Sequence, residues 1–336
     1  MSKIVFYCHD DRSSLEKFEY YKQDLDALKS LGHQVIICTK YREIPLKYDA
    51  IFIWWWTHAL YPVVLSKILR KPSIITGTYN FRFPEGFNGR DYFQRPNWQK
   101  YLLRVATKLC TLNLFVSQLE LTGCSKHFNL TNAKYYPHVI HNDYLKGPSA
   151  NRKLSLFNLA WSSKENMIRK GIPELLSAIR QLKDEGVEVE LNLAGLVGDG
   201  VDYLLKLITD LNISNEVNYL GMLSRESKIE MLRNCEIYVQ PSHYEGFGVA
   251  VAEAMGSGAC AIVCDVGAVK EVVGDSGYYV SPGSSDELAN AISLLLKDES
   301  LRNNLQKKSY QRIKEYFTSD KKKVRLRQYL SELGIS

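Results

Sequence analysis

The sequence predicts an α/β protein made of two domains, each a doubly wound parallel sheet with helices on both faces. Short, nearly continuous apolar segments alternate with amphipathic ones, which is typical of parallel strands buried on both faces. This alternation occurs in two successive series of similar length, and 336 residues are enough for two domains of ordinary size. Such domains bind ligands at the carboxyl ends of their strands, and two of them imply a cleft between them.

The first series covers residues 1–150, which we expect to form one domain. A helix is predicted over 13–32, because apolar residues recur there at helical spacing and a glycine closes the stretch. Glycine, proline and polar residues at 147–153 indicate a linker. The expected strands of this domain are 3–8, 34–39, 50–56, 73–76 and 112–117.

The second series covers residues 151–315 and predicts a second domain of the same class. The basic stretch 301–333 is expected to be helical. The expected strands are 156–161, 189–195, 216–221, 236–240 and 260–264, and the helices between them are 171–186, 201–212 and 226–234.

Composition indicates a soluble globular protein, with 45% apolar and 24% charged residues. No segment reaches the ~20 uninterrupted apolar residues of a membrane helix, and the N-terminus becomes charged too early for a secretory signal. The seven cysteines are scattered, odd in number and without paired metal-ligand spacing. We therefore expect reduced core thiols, a cytoplasmic location and no metal site.

Charge is shared unevenly between the two expected domains. Residues 1–150 hold 20 Lys and Arg against 12 Asp and Glu, whereas the remainder holds 23 against 25. A positive first domain suits an anionic partner such as a phosphorylated lipid or membrane headgroups. A merely solvated basic surface fits the same numbers.

The most informative segment is SHYEGFGVAVAEAMGSG, which follows the apolar strand 235–241. It opens with a glycine-rich turn and continues as a helix of small residues, an arrangement that directs free N–H groups and a positive helix end at an anion. Glu245 and Glu253 lie on either side of the helix start. On a helix they would be about 80° apart around the axis, roughly two turns apart in depth. One carboxylate could then face the reacting end of a ligand while the other holds a more distant part.

This segment resembles the E-x7-E signature of retaining GT-B glycosyltransferases of group 4, and the resemblance extends through 261–296. It implies the GT-B fold, two Rossmann-like domains with a cleft between them, in which the C-terminal helix 316–336 crosses back to the first domain. It also implies that Glu245 contacts the transferred sugar and that Glu253 binds the ribose hydroxyls of a nucleotide-sugar donor. The alternative is a surface helix with two solvated acids.

A second element of the resemblance is SSKENMIRKG at 162–171, which is similar to the family's G-R-x-x-x-x-x-K-G grip on the donor diphosphate. Lys170 falls on the family's lysine, and Lys164 falls where an arginine is usual. Two fixed cations would stabilise the charge that develops on a leaving diphosphate. Lysine at the first position lacks the bidentate fork of arginine and should hold more loosely. Alternatively, Lys164, Arg169 and Lys170 form an exposed loop.

The remaining donor contacts are expected from glycine-rich loops. Main-chain N–H groups at Gly246, Phe247 and Gly248 would complete an anion pocket. Gly195 begins a G-x-x-G-x-G loop that matches a second loop of the family, and 221–224, with Gly221 and Met222, is expected to line the base pocket. The family implies no cofactor and no metal, and no His/Cys cluster is present in the sequence.

The acceptor side is less well marked. Where the family has a Gly-Gly loop after the first strand, this chain has HDDRSS at 9–14. Where the family commonly has a histidine, it has Thr78, Tyr79 and Asn80. His58 is the nearest alternative sugar contact, although a lone histidine after an apolar strand is more often structural.

Residues 81–104 interleave aromatic residues with five basic ones, among them Arg90 and Arg104. This pattern suits a membrane interface or lipid-linked acceptor, and equally a soluble sugar acceptor or a core with a charged rim. Nucleic-acid binding is not expected, because no RNA- or DNA-binding motif accompanies the basic residues.

The resemblance implies a hexosyltransferase-type enzyme that moves a sugar from a nucleoside-diphosphate sugar to a glycan or lipid-linked glycan. The expected process is polysaccharide, glycolipid or lipopolysaccharide biosynthesis, in the cytoplasm or on the inner face of the membrane. Two alternatives stay open: a nucleotide-sugar epimerase or phosphorylase of the same fold, and a non-catalytic accessory subunit. Donor hydrolysis, donor epimerisation or an absence of turnover would separate them.

Overall fold

The computed structural model describes residues 1–83, 91–149 and 152–335, with the main chain alone at Glu16 and Lys17. Arg90 of the aromatic and basic segment and residues 150–151 of the expected linker lie outside the described residues. The chain divides into two compact units. The first contains Met1–Val139 and Phe317–Ser336, and the second contains Ile140–Tyr316.

The first unit is built on a parallel sheet of six described strands. The five predicted strands are present, and the sixth, of only three residues, is too short and too polar to stand out in the sequence. The strands are β1 Lys3–Cys8, β2 Gln34–Cys38, β3 Ala50–Trp54, β4 Ser73–Gly77, β5 Leu112–Phe115 and β6 Ala133–Tyr135. Their order is β2-β1-β3-β4-β5-β6, so the direction of winding reverses between β1 and β3.

Helices cover both faces of this sheet, and each face has its own apolar core. The single helix predicted over 13–32 is two helices, because Phe18 has an extended backbone that interrupts it. The helices are α1 Arg12–Lys17, α2 Glu19–Ser30, α3 Leu60–Ile68, α4 Asn97–Leu109 and α5 Gln118–Phe128, with 3₁₀ turns at Tyr41–Glu43 and Trp56–His58.

The second unit also has six described parallel strands. The five predicted strands are again present, with β12 added at one edge. They are β7 Lys153–Leu159, β8 Leu191–Ala194, β9 Val217–Tyr219, β10 Cys235–Gln240, β11 Cys260–Cys264 and β12 Tyr278–Val280. The order β12-β11-β10-β7-β8-β9 places β7 beside β10, where the winding reverses.

The helix over 172–184 buries one apolar stripe of leucines and isoleucines against the core of the second unit. Serine side chains cap several helices of this unit, at Ser163, Ser224 and Ser284. Its helices are α6 Lys164–Arg169, α7 Ile172–Asp184, α8 Val201–Asp210, α9 Arg225–Asn234, α10 Val249–Gly256, α11 Val269–Val273, α12 Ser285–Lys297 and α13 Glu299–Tyr316, with 3₁₀ turns at Asn142–Leu145 and Gly274–Ser276.

The last helix, α14 Ser319–Glu332, belongs to the first unit and packs against α2. The helical stretch predicted over 301–333 is therefore two helices, and Thr318 caps the second. A fully buried ion pair links α14 to α2, with Lys322 Nζ 3.0 Å from Asp24 Oδ1.

The predicted fold class is confirmed, since each unit is a parallel six-stranded sheet between layers of helices. All seven cysteines are buried and none forms a disulfide. No described helix combines the length and the apolar character that a bilayer crossing requires.

Candidate active site

The candidate site lies in the second unit where the winding of the sheet reverses. Because β7 and β10 are neighbours, the loops that leave their carboxyl ends are neighbours too. The loop after β7 leads into α6, and the loop after β10 leads into α10. This reversal point is where doubly wound sheets bind their ligands.

Glu245, in the loop after β10, is the centre of a buried polar cluster. Its Oε1 atom lies 2.6 Å from Lys170 Nζ and 3.2 Å from Arg169 Nη1. The same atom accepts hydrogen bonds from Gln240 Nε2 at 3.2 Å and from Ser242 Oγ at 3.1 Å. Across the described parts of the chain, no group donates a hydrogen bond to Oε2. One oxygen of the carboxylate is thus held by four groups, and the other accepts no hydrogen bond from the described residues.

The electrostatics of this cluster favour an ionised carboxylate. Burial opposes ionisation of Glu245, but the charges of Lys170 and Arg169 and the hydrogen bond from Ser242 outweigh it, so the pKa of this carboxyl lies below its usual value. Burial also lowers the pKa of the Lys170 ammonium, against the opposing effect of Glu245. Both side chains are almost fully covered, with Lys170 9% and Glu245 7% exposed.

Two glycines let the main chain close around Glu245. Gly171, the N-cap of α7, has φ +70°, and a Cβ there would lie 2.1 Å from the carbonyl oxygen of Pro241. Gly267 has φ +54°, and a Cβ there would lie 1.9 Å from the carbonyl oxygen of Glu245 itself. Neither position accepts a side chain without movement of the main chain, which explains why glycine is found at both.

Glu253 lies on α10 and has a different partner. Both of its oxygens contact Lys228 Nζ on α9, at 2.9 Å and 3.1 Å. Glu253 is 4% exposed, and the Lys228 ammonium also lies 5.1 Å from the ring centre of Tyr144. The two glutamates of the sequence signature are therefore each paired with a lysine, but with different ones.

The glycine-rich turn places Gly248 as the N-cap of α10, with φ +93°. No described side chain caps this helix end, so its first-turn N–H groups are open to an anion. Phe247 is buried, 3% exposed, and can offer a ligand only its main chain. Gly246 lies between Glu245 and Phe247 in the same turn.

The loops after β8 and β9 are joined by a hydrogen bond from the N–H of Gly195 to the carbonyl oxygen of Gly221, at 2.9 Å. A Cβ at Gly195 would lie 1.8 Å from the carbonyl oxygen of Ala160, in the loop after β7. Met222 follows, with its side chain 61% exposed. Three adjacent strand ends thus present closely packed loops on the same edge of the sheet as Glu245.

Lys164 is not part of the Glu245 cluster. It begins α6, its side chain is exposed, and its Nζ lies 5.0 Å from the ring centre of Tyr203. The second cation beside Glu245 is Arg169, which the sequence suggested only as part of an exposed loop. Arg169 also donates to the carbonyl oxygen of Tyr244 at 2.8 Å, which holds the turn in place. In the sequence, the only feature that points to Arg169 is its position directly before Lys170.

The residues proposed for the acceptor side lie in the first unit. His58 stacks on His9 at 4.2 Å between ring centres, and burial together with His9 lowers the pKa of His58. The N–H groups of Tyr79 and Asn80 donate to the Glu120 carboxylate at 2.9 Å and 2.7 Å.

Tyr79 is buried in the core, 4% exposed, whereas the neighbouring Thr78 is only half-buried. Among the described residues, no three His, Cys, Asp or Glu side chains are grouped as a metal site would require.

Comparison with known proteins gives a family match in the second unit. The model of the family described as glycosyl transferases group 1 matches residues 158–312. An N-acetylgalactosaminyltransferase of Campylobacter jejuni, which acts on N,N'-diacetylbacillosaminyl-diphospho-undecaprenol, is 34% identical over 155 residues, 43% of this chain and 41% of its own length. O-antigen chain mannosyltransferase B of Escherichia coli is 32% identical over 155 residues, 44% of this chain and 41% of its own length.

A longer match reaches into the first unit. The O-antigen chain mannosyltransferase RfbU of Salmonella typhimurium is 23% identical over 272 residues, 80% of this chain and 67% of its own length. In contrast, the chain spans less than half the length of the Campylobacter jejuni and Escherichia coli relatives.

Solved structures match over the whole chain. A sucrose-phosphate synthase of Thermosynechococcus elongatus has a TM-score of 0.79 at 16% identity and covers 99% of both chains. Anabaena HepE in complex with UDP has a TM-score of 0.77 at 21% identity, over 98% of this chain and all of its own. The chain thus has the fold of the GT-B glycosyltransferases, and its residues 158–312 match the group 1 glycosyl transferase family.

Proposed function

We propose that the chain is a retaining, metal-independent hexosyltransferase that moves a sugar from a nucleoside-diphosphate donor to a glycan or lipid-linked glycan. The observation that carries the proposal is the Glu245 cluster: a buried carboxylate with one oxygen held by four groups and the other open, beside two cations and the uncapped start of α10. This is a site for a ligand with an anionic part and a part that develops positive charge.

Glu245 would act on the transferred sugar. Its open Oε2 can accept a hydrogen bond from a sugar hydroxyl, and its negative charge would stabilise an oxocarbenium-like anomeric centre. Because Lys170, Arg169, Gln240 and Ser242 hold Oε1, the open oxygen has a defined direction before the donor arrives. Preorganisation of this kind lowers the barrier without a reorganisation cost during the reaction.

Lys170 and Arg169 would act on the leaving diphosphate. An ammonium and a guanidinium beside one carboxylate leave a net positive charge, which an approaching diphosphate can neutralise. The first-turn N–H groups of α10 add donors and a favourable helix dipole. Fixed cations in these positions support a reaction that needs no divalent metal.

In the proposed reaction the bond between the anomeric carbon and the donor phosphate oxygen breaks, and a bond from the acceptor oxygen forms on the same face. The acceptor's proton passes to an oxygen of the departing phosphate. No protein side chain is then needed as a general base, which suits a site whose central carboxylate is already ionised and paired.

Glu253 would bind the ribose of the donor. A carboxylate has about four lone-pair positions. Lys228 occupies one position on each oxygen of Glu253, which leaves others for a 2′,3′-diol. Lys228 then fixes the orientation of Glu253, while the loop containing Gly221 and Met222 lies beyond β9 as the candidate contact for the base.

The relatives support a lipid-linked or polysaccharide acceptor. The names of those cited above refer to a diphospho-undecaprenol-linked saccharide and to O-antigen chains. The related Anabaena HepE structure is a complex with UDP. These names support a nucleotide-sugar donor and a role in lipopolysaccharide or other glycan synthesis for this chain.

The test is turnover of a panel of UDP-, GDP-, ADP- and CDP-sugars with and without lipid-linked saccharides, with product configuration read by NMR. We expect transfer with retention at the anomeric carbon, unaffected by EDTA. An inverted product or loss of transfer in EDTA would contradict the mechanism. Donor epimerisation without acceptor would favour an epimerase, and binding without turnover an accessory subunit.

A further inference from the structure

The described residues of the aromatic and basic segment, 81–83 and 91–104, include both buried and exposed aromatic side chains. Phe81 and Tyr92 pack with Phe128 in the core of the first unit. Trp98 and Tyr101, on α4, are instead 63% and 66% exposed. A core role therefore accounts for Phe81 and Tyr92 but not for Trp98 and Tyr101.

Helix α4 has three stripes along its length. One stripe is buried and contains Leu103 and Ala106. A second stripe is basic, and its residues follow one another at intervals of four positions. A third stripe is apolar and exposed, and its residues are separated by three, four or seven positions. The basic stripe is Lys100, Arg104 and Lys108, and the exposed apolar stripe is Trp98, Tyr101, Leu102 and Leu109.

Helix α3 repeats this arrangement in the same layer of the unit. It packs against α4, and its buried Val63 lies in the same core cluster as Leu103. On its outer side, Tyr61, Val64 and Ile68 are 49%, 38% and 72% exposed. These residues follow one another at intervals of three and four positions, so they lie on one side of the helix. The connections β3–α3–β4 and β4–α4–β5 run in the same direction along the sheet. Because such connections are right-handed, α3 and α4 lie on the same face of the sheet.

The charge of these helices has one sign. Residues 60–70 and 97–109 contain five basic residues, Lys67, Arg70, Lys100, Arg104 and Lys108, and no Asp or Glu. Elsewhere on surface helices of this chain, acidic residues accompany the basic ones, as in α7 and α13. A basic helix with exposed aromatic and aliphatic side chains beside the charges is typical of helices that lie in a membrane interface.

We propose that the outer face of α3 and α4, the α3–α4 surface, docks on a membrane containing anionic lipid. The rings of Trp98 and Tyr101 would enter the headgroup region while the basic stripe meets lipid phosphates. A protein partner would have to supply a wholly acidic surface around the same apolar stripe, so a lipid surface fits the uniform charge better. This proposal does not depend on the proposed activity.

The test is sedimentation of the full chain with vesicles of phosphatidylcholine, with and without phosphatidylglycerol. We expect binding that requires phosphatidylglycerol and weakens as the screening length falls from about 8 Å at 0.15 M salt to about 3 Å at 1 M. Replacing the basic stripe, by Lys100→Gln, Arg104→Gln and Lys108→Gln, should lower the partition coefficient about a hundredfold. Trp98→Ser with Tyr101→Ser should lower it about tenfold.

A control for the basic stripe changes three exposed basic residues in the second unit, by Lys206→Gln, Lys307→Gln and Lys308→Gln, together with the exposed apolar residue Leu205→Ser. This control should bind vesicles like the unmodified chain, and circular dichroism should show all variants folded. The proposal is overturned by equal binding to both lipid compositions, by no binding, or by α4 variants that bind as well as the control. Self-association through the α3–α4 surface, seen by ultracentrifugation and abolished by the α4 changes, would also overturn it.

Discussion

Lys170 Nζ lies 2.6 Å from Glu245 Oε1, inside the second unit and almost out of contact with solvent. The lysine is the C-cap of α6 and the glutamate lies in the turn before α10, so the pair connects the segments that follow β7 and β10. Since the pKa of Glu245 lies below its usual value, the carboxylate is ionised at neutral pH and a cation stands next to it. The proposed chemistry depends on this pair of charges.

Glu245→Gln should lower kcat by at least about a hundredfold, because the amide cannot supply negative charge beside the anomeric centre. The shape of the side chain is kept, so the turn should stay in place and nucleotide affinity should change little. Steady-state kinetics with the preferred donor and calorimetry with its nucleoside diphosphate check the two halves of this prediction. Loss of nucleotide binding would refute the assignment of Glu245 to the sugar.

Lys228→Met should raise the donor KM about tenfold with little change in kcat. Without the ammonium, Glu253 loses the two hydrogen bonds that orient its oxygens. A charge-assisted hydrogen bond of this kind is worth about 1.5–3 kcal/mol. Lys228→Arg, which keeps the charge, should restore most of the affinity. A fall in kcat of the same size as the rise in KM would show that Lys228 acts on the reaction itself and not through the ribose.

Gly171→Ala should disrupt the site far more than Gly186→Ala, although both positions lie at ends of α7 with nearly equal φ, +70° and +72°. At Gly171 a Cβ would meet the carbonyl oxygen of Pro241 at 2.1 Å, whereas nothing lies within 4 Å at Gly186. Gly186→Ala should cost about 1 kcal/mol of unfolding free energy from its backbone conformation alone. Equal losses of stability and of kcat in the two variants would contradict this account.

Lys322→Met should lower the unfolding free energy of the first unit by about 3–5 kcal/mol, because it leaves the fully buried carboxyl of Asp24 without its cationic partner. The double variant Asp24→Asn, Lys322→Met should be less destabilised than the sum of the single changes. Urea unfolding followed by tryptophan fluorescence suits this unit, since it contains four of the five tryptophans, at 54, 55, 56 and 98. Additive effects would show that the two charges do not interact.

Eight of the ten strands predicted from sequence lie inside a sheet, and the other two, β2 and β9, lie at sheet edges. Continuous apolar runs such as 50–54 and 260–264 are visible without any knowledge of their neighbours. The two strands that were missed, β6 and β12, have three residues each and lie at sheet edges, where their pairing partner decides the structure. The break at Phe18 is likewise set by packing, since its local pattern continues a helix.

The candidate site was only partly visible in the sequence. Glu245, Glu253 and Lys170 were identified from the resemblance to family motifs, and the first and third are in contact. Arg169 and Lys228 were not assigned, because their partners are 76 and 25 positions away and depend on how loops and helices pack. The roles proposed for His58, Thr78, Tyr79 and Asn80 stay predictions, and the buried position of Tyr79 favours a structural part for it.

The most direct test of the central claim is calorimetry of nucleoside diphosphate and nucleoside binding to the unmodified chain and to Lys170→Ala, with Lys206→Ala as an exposed control. If the Glu245 cluster grips a donor diphosphate, Lys170→Ala weakens diphosphate binding at least about tenfold and leaves nucleoside binding unchanged. Equal weakening of both ligands, or an unmodified chain that binds no nucleoside diphosphate, would contradict the claim.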